Sequence, residues 1–164
     1  MIPAKPTTGA GGVNFRSRLE ARWAQFFTLL DWPWQYEPDM DFKGWIPDFA
    51  ITSGGGLLVE VKPAISMAGL MPHRERIEKS GAVAQVWLVG GALSFAKGSE
   101  VHQPIIGWHG FCGMGTHWEW QPAYFENAQH RGIRELIDQP EPRNFGLAQR
   151  LWVQAGNELQ WRRK

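Results

Sequence analysis

The sequence has a single cysteine, no long hydrophobic run and almost no net charge. The lone Cys112 excludes an intramolecular disulfide framework and an all-cysteine zinc site, and it suggests a reducing compartment. The apolar runs fall far short of the ~20 residues that a membrane helix needs. Because the N-terminal residues lack the apolar core of a signal peptide, we interpret residues 1–14 as a flexible leader and expect a cytoplasmic protein.

Charge and composition are typical of a folded protein but do not identify a partner. Seventeen lysines and arginines stand against sixteen acidic residues, and this balance does not indicate a nucleic-acid-binding protein. A length of 164 residues, of which 43% are hydrophobic, suits one folded domain with a small appendage. Ten tryptophans are an excess, and the sequence does not separate those that fill a core from those that could stack on bases.

The hydrophobic pattern predicts an α/β protein with a mixed sheet. The predicted core consists of a helix over 15–30, short strands within 34–42, strands over 44–51 and 57–62, a helix over 66–80 and a strand over 83–89. We expect Asn14 to cap the first helix and Pro72 to break or delay the second. Gly90 and Gly91 are expected to end the last strand, and the strands on either side of residues 53–56 are expected to form a hairpin.

Residues 98–164 are predicted to form an α-rich C-terminal extension packed on a core of residues 15–97. This extension is expected to contain an irregular region with short strands around 104–108 and 117–120, then helices over 125–137 and 145–155. Three histidines of the irregular region accompany Cys112: His102, His109 and His117. Their spacing does not match usual zinc-ligand patterns, so we interpret them as ordinary polar residues.

The strand over 57–62 carries a carboxylate and an ammonium side by side. Side chains alternate across a strand, so Glu60 and Lys62 share one face. On this observation alone, a strand that leaves the core with an exposed ion pair is the favoured interpretation. A hairpin would also bring Asp48 beside Glu60, and two adjacent carboxylates repel each other unless a cation lies between them. Their oxygens favour Mg²⁺ or Mn²⁺, whereas a turn aspartate without a partner is the alternative.

A third carboxylate, Glu20, lies on the predicted first helix at the edge of its apolar stripe. It could point into the same site, or it could be a solvated residue paired with Arg16 four positions earlier. The order of Glu20, Pro47-Asp48 and Glu60-Val61-Lys62 resembles the PD-(D/E)xK nuclease superfamily, and in particular small nucleases encoded by phages and prophages. The resemblance covers residues 15–91, and it implies a restriction-endonuclease-like core of helix, three strands, helix and strand around a central mixed sheet.

The resemblance implies a role for each motif residue. Asp48, Glu60 and the main-chain carbonyl of Val61 would hold Mg²⁺ or Mn²⁺. Lys62 would orient or deprotonate the attacking water, and Glu20 would position a metal-bound water or a second ion. The expected activity is metal-dependent hydrolysis of DNA phosphodiester bonds, with an endonuclease of phage or prophage origin in a bacterial cytoplasm favoured over an exonuclease.

Two groups of cations are candidates for DNA binding. They are Arg16, Arg18 and Arg22 beside Glu20, and Arg74, Arg76 and Lys79 on the second predicted helix. Ordinary surface solvation explains them nearly as well. A homodimer would suit the cutting of two strands, but the sequence does not demonstrate one. The competing function is a catalytically silent domain that binds nucleic acid or protein, and metal dependence distinguishes it from the nuclease.

Overall fold

In the computed structural model, which describes residues 6–51, 56–95, 104–113, 117–123 and 145–161, the chain is a mixed α/β structure built on a six-stranded sheet. The strands are β1 (Thr7–Thr8), β2 (Asn14–Phe15), β3 (Trp34–Tyr36), β4 (Phe49–Ile51), β5 (Leu57–Val61), β6 (Gln85–Phe95), β7 (Pro104–Phe111) and β8 (Glu119–Ala123). The helices are α1 (Arg18–Leu29), α2 (Met67–Leu70), α3 (Arg74–Lys79) and α4 (Phe145–Trp161), with 3₁₀ turns at Ala10–Gly12 and Met71–His73.

The large sheet has the strand order β3-β4-β5-β6-β7-β8. Only β5 and β6 are parallel among these pairs, and the other neighbours are antiparallel. The parallel pair needs a crossover, which α2 and α3 supply. The predicted α/β class, the mixed sheet and the hairpin formed by β4 and β5 are therefore confirmed.

The beginning of α1 differs from the prediction. Ser17 is the N-cap, and its hydroxyl accepts a hydrogen bond from the Glu20 N–H, whereas Asn14 pairs with Thr8 in a small two-stranded sheet. Residues 6–14, the described part of the predicted leader, thus contain a short strand, a 3₁₀ turn and the start of a second strand. Phe15 anchors this segment because its ring is fully buried and packs edge-on to Tyr36 at 4.7 Å.

The sheet has an apolar core on each face. One core joins α1 and α4 to the sheet through large side chains such as Trp23, Phe27 and Trp87. The other lies under α2 and α3 and contains Trp45 and Leu88. The helix predicted over 66–80 is present, but it is split into α2, a 3₁₀ turn containing Pro72, and α3.

Strand β6 runs through Gly90 and Gly91 to Phe95, so the prediction that these glycines end it is wrong. The two glycines allow the loop after β5 to cross β6 at this point with its backbone in close contact with the strand. The Gly91 N–H donates to the carbonyl of Ala64 at 2.7 Å, and a Cβ added to Gly90 would lie 2.2 Å from that same oxygen. The glycines therefore hold the segment that carries Lys62 against the sheet.

We expect Gly90→Ala to destabilise the protein by about 2–4 kcal/mol, since the added methyl group forces a backbone shift in a buried region. Urea denaturation followed by circular dichroism measures this loss. Ala92→Gly, at an exposed position of the same strand, is the control and should cost under about 1 kcal/mol. A Gly90→Ala protein as stable as the control would contradict the close approach.

The C-terminal part of the chain adds strands as well as a helix. Strands β7 and β8 extend the large sheet, and His109 lies in β7 rather than in an irregular region. Strand β4 is shorter than predicted, and Met40 lies outside the strands. The helix predicted over 125–137, like His102, lies outside the described residues. None of the helices in the described part of the chain has the length and apolarity that a membrane span requires.

Candidate active site

Asp48 and Glu60 meet where the hairpin formed by β4 and β5 packs against α1 and α3. The register pairs Phe49 with Val59, so the two carboxylates occupy adjacent positions one step further along. Each residue is only 4% exposed, and the Val61 N–H donates to Asp48 Oδ2 at 2.8 Å. The sequence prediction that the hairpin brings these two side chains together agrees with this arrangement.

Glu60 is held by two further contacts. Its Oε1 accepts from the ammonium of Lys62 at 2.6 Å, and its Oε2 accepts from the indole N–H of Trp45 at 2.9 Å. Trp45 is 2% exposed, so its ring is fixed by packing and aims the carboxylate. Lys62 remains a quarter exposed and can reach a ligand from solvent.

Glu20 approaches the same site from α1. Its Oε2 accepts a hydrogen bond from the Tyr36 hydroxyl at 2.5 Å, and that hydroxyl accepts from the backbone N–H of Arg16 at 3.0 Å. The Arg16 side chain then bridges two acids, with Nε 2.8 Å from Glu37 and Nη2 3.1 Å from Asp48. Tyr36 and Arg16 thus link Glu20 to Asp48, whereas Glu60, beside Asp48, is held by Lys62 and Trp45.

Burial and like charge shape the acidity of this network. The pKa of Asp48 is raised to about 7, chiefly by burial and then by the neighbouring charge of Glu60, which together outweigh the Val61 N–H. Burial and the hydrogen bond to Glu20 raise the pKa of Tyr36 to about 12, so its phenol stays a neutral donor. A cation bound between two such carboxylates removes their electrostatic repulsion, so this pair favours the binding of a cation.

Two cavities of opposite charge meet at the site. They share a wall formed by Gly44, Trp45, Glu60, Lys62 and Arg76. The larger cavity, about 750 Å³, is mainly acidic and is lined by Glu20, Glu37, Asp39, Asp41, Asp48 and Glu60, with Val61 beside them. The smaller cavity, about 600 Å³, has more basic than acidic side chains: Lys43, Lys62, His73, Arg76 and Lys79 line it together with Glu60 and Glu75, and Glu75 is ion-paired with Lys79. A cation suits the first cavity and an anion suits the second.

The cations predicted to bind DNA are not all at the site. Arg16 lies at the carboxylates, while Arg76 and Lys79 line the basic cavity. Arg74, only two residues before Arg76, instead lies against Trp108 and Trp120. Arg18 begins α1 and is half-buried.

Arg22 has a structural position, which removes it from the group predicted to bind DNA. Its guanidinium donates twice to the carbonyl of Trp152, at 3.0 and 2.7 Å, and lies 4.1 Å from the centroid of that indole. Desolvation in this position lowers the pKa of Arg22. The side chain therefore fastens α1 to α4.

We expect Arg22→Met to destabilise the protein by about 1–3 kcal/mol, because it removes two hydrogen bonds and a cation–π contact. Thermal or urea unfolding measures the loss, with Arg18→Met as the neighbouring control on α1. The affinity of Arg22→Met for DNA should equal that of the wild type. If Arg22→Met binds DNA more weakly but is as stable as the wild type, Arg22 belongs to the DNA-binding surface instead.

Several residues of the site were missed by the sequence analysis. Trp45 and Tyr36 resemble core residues in the sequence, yet they donate to Glu60 and Glu20. Lys43 and His73 line the basic cavity from two segments 30 positions apart. The available signal was weak, since only the nearness of Trp45 to Asp48 along the chain hinted at a common site.

The donor set suits a hard divalent cation, since two buried carboxylates and a nearby main-chain carbonyl supply oxygen only. Asp48 and Glu60 are the two side chains that would supply these oxygens. Within the part of the chain that the structure describes, no group of three or more histidine, cysteine or acidic side chains is placed to hold a metal. The fit therefore rests on the acidic pair and on the unfavourable charge that it carries.

Comparison with models of protein families, with curated proteins and with solved structures finds no match for this chain. The resemblance to the nuclease superfamily thus rests on the motif residues and on the site just described.

Proposed function

We propose that this chain is a metal-dependent nuclease that hydrolyses DNA phosphodiester bonds. The observation that carries the proposal is the buried pair of Asp48 and Glu60 with Lys62 ion-paired beside them at 2.6 Å from Glu60. A cluster of two buried carboxylates and a partly exposed lysine lowers the stability of the folded protein. Such clusters are concentrated at catalytic sites.

The order of elements supports a restriction-endonuclease-like core. A helix with an inward acid, α1, precedes the antiparallel strands β3, β4 and β5. The helical crossover through α2 and α3 then leads to β6, parallel to β5. Glu20 lies on α1, Asp48 directly before β4, Glu60 in β5 and Lys62 directly after it, and this order supports the proposal.

The residues divide the chemistry between them. Asp48, Glu60 and the main-chain carbonyl of Val61 would hold Mg²⁺ or Mn²⁺, which when bound polarises the scissile phosphate and makes a coordinated water more acidic. Lys62 contributes a positive charge that offsets the negative charge developing on the phosphate. Glu20, oriented by Tyr36, positions the attacking water through a hydrogen bond.

The basic cavity provides the complementary surface for the substrate. Lys43 and Arg76 line it next to Lys62, and Lys79 lies there in an ion pair with Glu75, so a phosphate backbone that enters it lies among several cations. Arg76 is fixed in this wall, since its guanidinium donates to the carbonyl of Gly44 at 3.0 Å. Binding through the backbone is independent of sequence.

A binding domain without catalysis is the second candidate, and one observation favours it. Every oxygen of the acidic pair already has a protein partner: Arg16 and the Val61 N–H on Asp48, and Trp45 and Lys62 on Glu60. A metal ion would therefore share these oxygens with the existing donors, through the second lone pair of each oxygen. The nuclease remains the better proposal, because two buried carboxylates beside a lysine are costly to keep in a surface that only binds nucleic acid, and such clusters are concentrated at catalytic sites.

The test is cleavage of labelled single-stranded, duplex and branched DNA in Mg²⁺, Mn²⁺ or EDTA. We expect cutting in either metal and none in EDTA. Circular substrates distinguish the expected endonuclease from an exonuclease, since a circle has no end. Tight DNA binding without cleavage in any metal would contradict the nuclease and support the binding domain. Phage origin and a homodimer stay predictions.

A further inference from the structure

A stack of rings and one guanidinium lies over the last two strands of the sheet. The rings of Trp118 and Trp120 stack with centroids 5.7 Å apart and planes 20° apart. The guanidinium of Arg74 then lies 5.7 Å from the Trp120 centroid and 5.8 Å from that of Trp108. We call these four residues the aromatic ladder.

The inner members of the ladder are rigidly held. Trp120 faces Gly110 across β7 and β8, and a Cβ on this glycine would lie 2.6 Å from the indole. The indole N–H of Trp120 donates to Glu78 at 2.8 Å. Trp118 is the outermost ring and is only half-buried, so part of its surface faces solvent. Trp118, which also packs against the core under α2 and α3, is thus the member of the ladder through which another planar ring could extend the stack.

The ladder lies on the same face of the sheet as the candidate active site. Glu60 pairs with Leu88, and Leu88 pairs with Trp108, so the three residues form one row across β5, β6 and β7. At ~4.8 Å between strands, Trp108 is about 10 Å from Glu60 and the strand of Trp120 about 15 Å away. Leu88 is fully buried under α2 and α3, so a strand that contacts both surfaces passes over α3, and a few extended nucleotides span that path.

Helix α3 connects the two surfaces. Arg76 and Lys79 line the basic cavity next to Lys62, whereas Arg74 and Glu78 contact the ladder. Arg74 and Glu78 bring opposite charges to the ladder itself, so attraction of phosphate is weak there. Affinity at the ladder must come from stacking.

We propose that the aromatic ladder stacks unpaired bases of the nucleic-acid strand whose phosphodiester bond lies at Glu60 and Lys62. The proposal rests on the proposed nuclease function and names its substrate class, a single strand or a duplex with a single-stranded segment. Bases within a duplex have both faces covered by their neighbours, whereas an unpaired base stacks on an indole or an arginine plane.

The test measures binding in EDTA by fluorescence anisotropy, so that it does not depend on cleavage. The probes are a labelled oligothymidylate, an oligouridylate and an abasic oligomer of the same length, and the last has the phosphates without the bases. The proteins are the wild type, Trp118→Ala, Trp118→Phe and Phe111→Ala. Phe111 is 40% exposed on β7 and lines a separate apolar cavity with Val83 and Cys112, so it is the matched control.

We expect Trp118→Ala to bind the oligothymidylate or the oligouridylate about tenfold more weakly, since one base stack is worth about that much. Trp118→Phe, which keeps a ring, and Phe111→Ala should retain the wild-type affinity. The abasic oligomer should bind all four proteins equally and more weakly than the wild type binds the base-containing strands. The oligomer that binds Trp118→Ala more weakly than the wild type identifies the ladder's ligand: DNA for the oligothymidylate, RNA for the oligouridylate.

Wild-type affinity of a folded Trp118→Ala for both base-containing strands would overturn the proposal. So would equal affinity of the wild type for the abasic and base-containing strands, a result that needs no variant to fold. Neither result contradicts the proposed nuclease activity, because cleavage is measured in a separate experiment. Conversely, a protein that never cuts DNA can still show base-dependent binding at Trp118, so the two failures are distinguishable.

Discussion

Replacement of Lys62 by methionine is expected to reduce metal-dependent DNA cleavage by at least about 10³-fold, since it removes the cation that is ion-paired with Glu60 at the proposed active site. Methionine keeps most of the aliphatic stem, so the packing around β5 is preserved. Initial rates on the best DNA substrate, measured in saturating metal, give the size of the loss. Glu60→Gln should lose as much, although its amide oxygen can still accept from Trp45.

A matched carboxylate variant makes this experiment specific. Glu119→Gln changes an exposed acid of β8, far from the hairpin, and should cleave at the wild-type rate. Circular dichroism and urea unfolding establish that Lys62→Met is folded. A folded Lys62→Met protein that cuts DNA as fast as Glu119→Gln would show that the site is assigned to the wrong residues.

Raising the pH from 5 to 8 is expected to shift the stability of the metal-free protein in favour of Asp48→Asn by about 1–3 kcal/mol, because only the wild type gains a buried charge next to Glu60. The hydrogen bond that the amide nitrogen cannot accept from Arg16 or Val61 is lost at every pH. The pKa of Asp48 is about 7 in the folded protein against an ordinary value of 3.8, so the folded state binds this proton more tightly than the unfolded chain does. The free energy of unfolding of the wild type therefore falls as the pH rises from about 4 to about 7. Above that range Asp48 is ionised in both the folded and the unfolded state, so it causes no further change in the free energy of unfolding with pH.

Urea denaturation of the wild type and Asp48→Asn in EDTA, at several pH values from 5 to 8, checks the direction of this effect. The stability of the variant should lack the decline through that range, and its stability relative to the wild type should be lowest at pH 5. Added Mg²⁺ should stabilise the wild type more at pH 8, where Asp48 is ionised, and should have little effect on Asp48→Asn. Parallel pH profiles of the two proteins would contradict the raised pKa.

The meeting of Asp48 and Glu60 followed from local information. Both residues belong to one hairpin, and once its turn and apolar alternation are recognised, the register places them at adjacent positions. Alternation along β5 likewise predicts that Glu60 and Lys62 share a face. These inferences needed about fifteen consecutive residues and no distant contact.

The partners of these residues could not be found in the same way. Asn14 and Ser17 are both good helix caps, and the choice between them depended on the pairing of β1 with β2 and on the burial of Phe15. Trp45 and Tyr36 carry no mark in the sequence that separates a hydrogen-bond donor from a core aromatic. Gly90 looked like the end of a strand because its neighbour in space, Ala64, is distant in sequence.

The chain order of apolar and acidic residues was sufficient to predict the α/β class, the hairpin and the acidic pair with its lysine, since short-range periodicity and one turn govern all three. The arginines show the opposite dependence. Arg16 reaches Asp48, Arg22 reaches Trp152 and Arg74 reaches Trp120, although in sequence the three looked alike. Long-range packing of α1 on α4 and of α3 on the sheet decided their partners, because a long side chain binds whichever carboxylate, carbonyl or ring the fold brings within its reach.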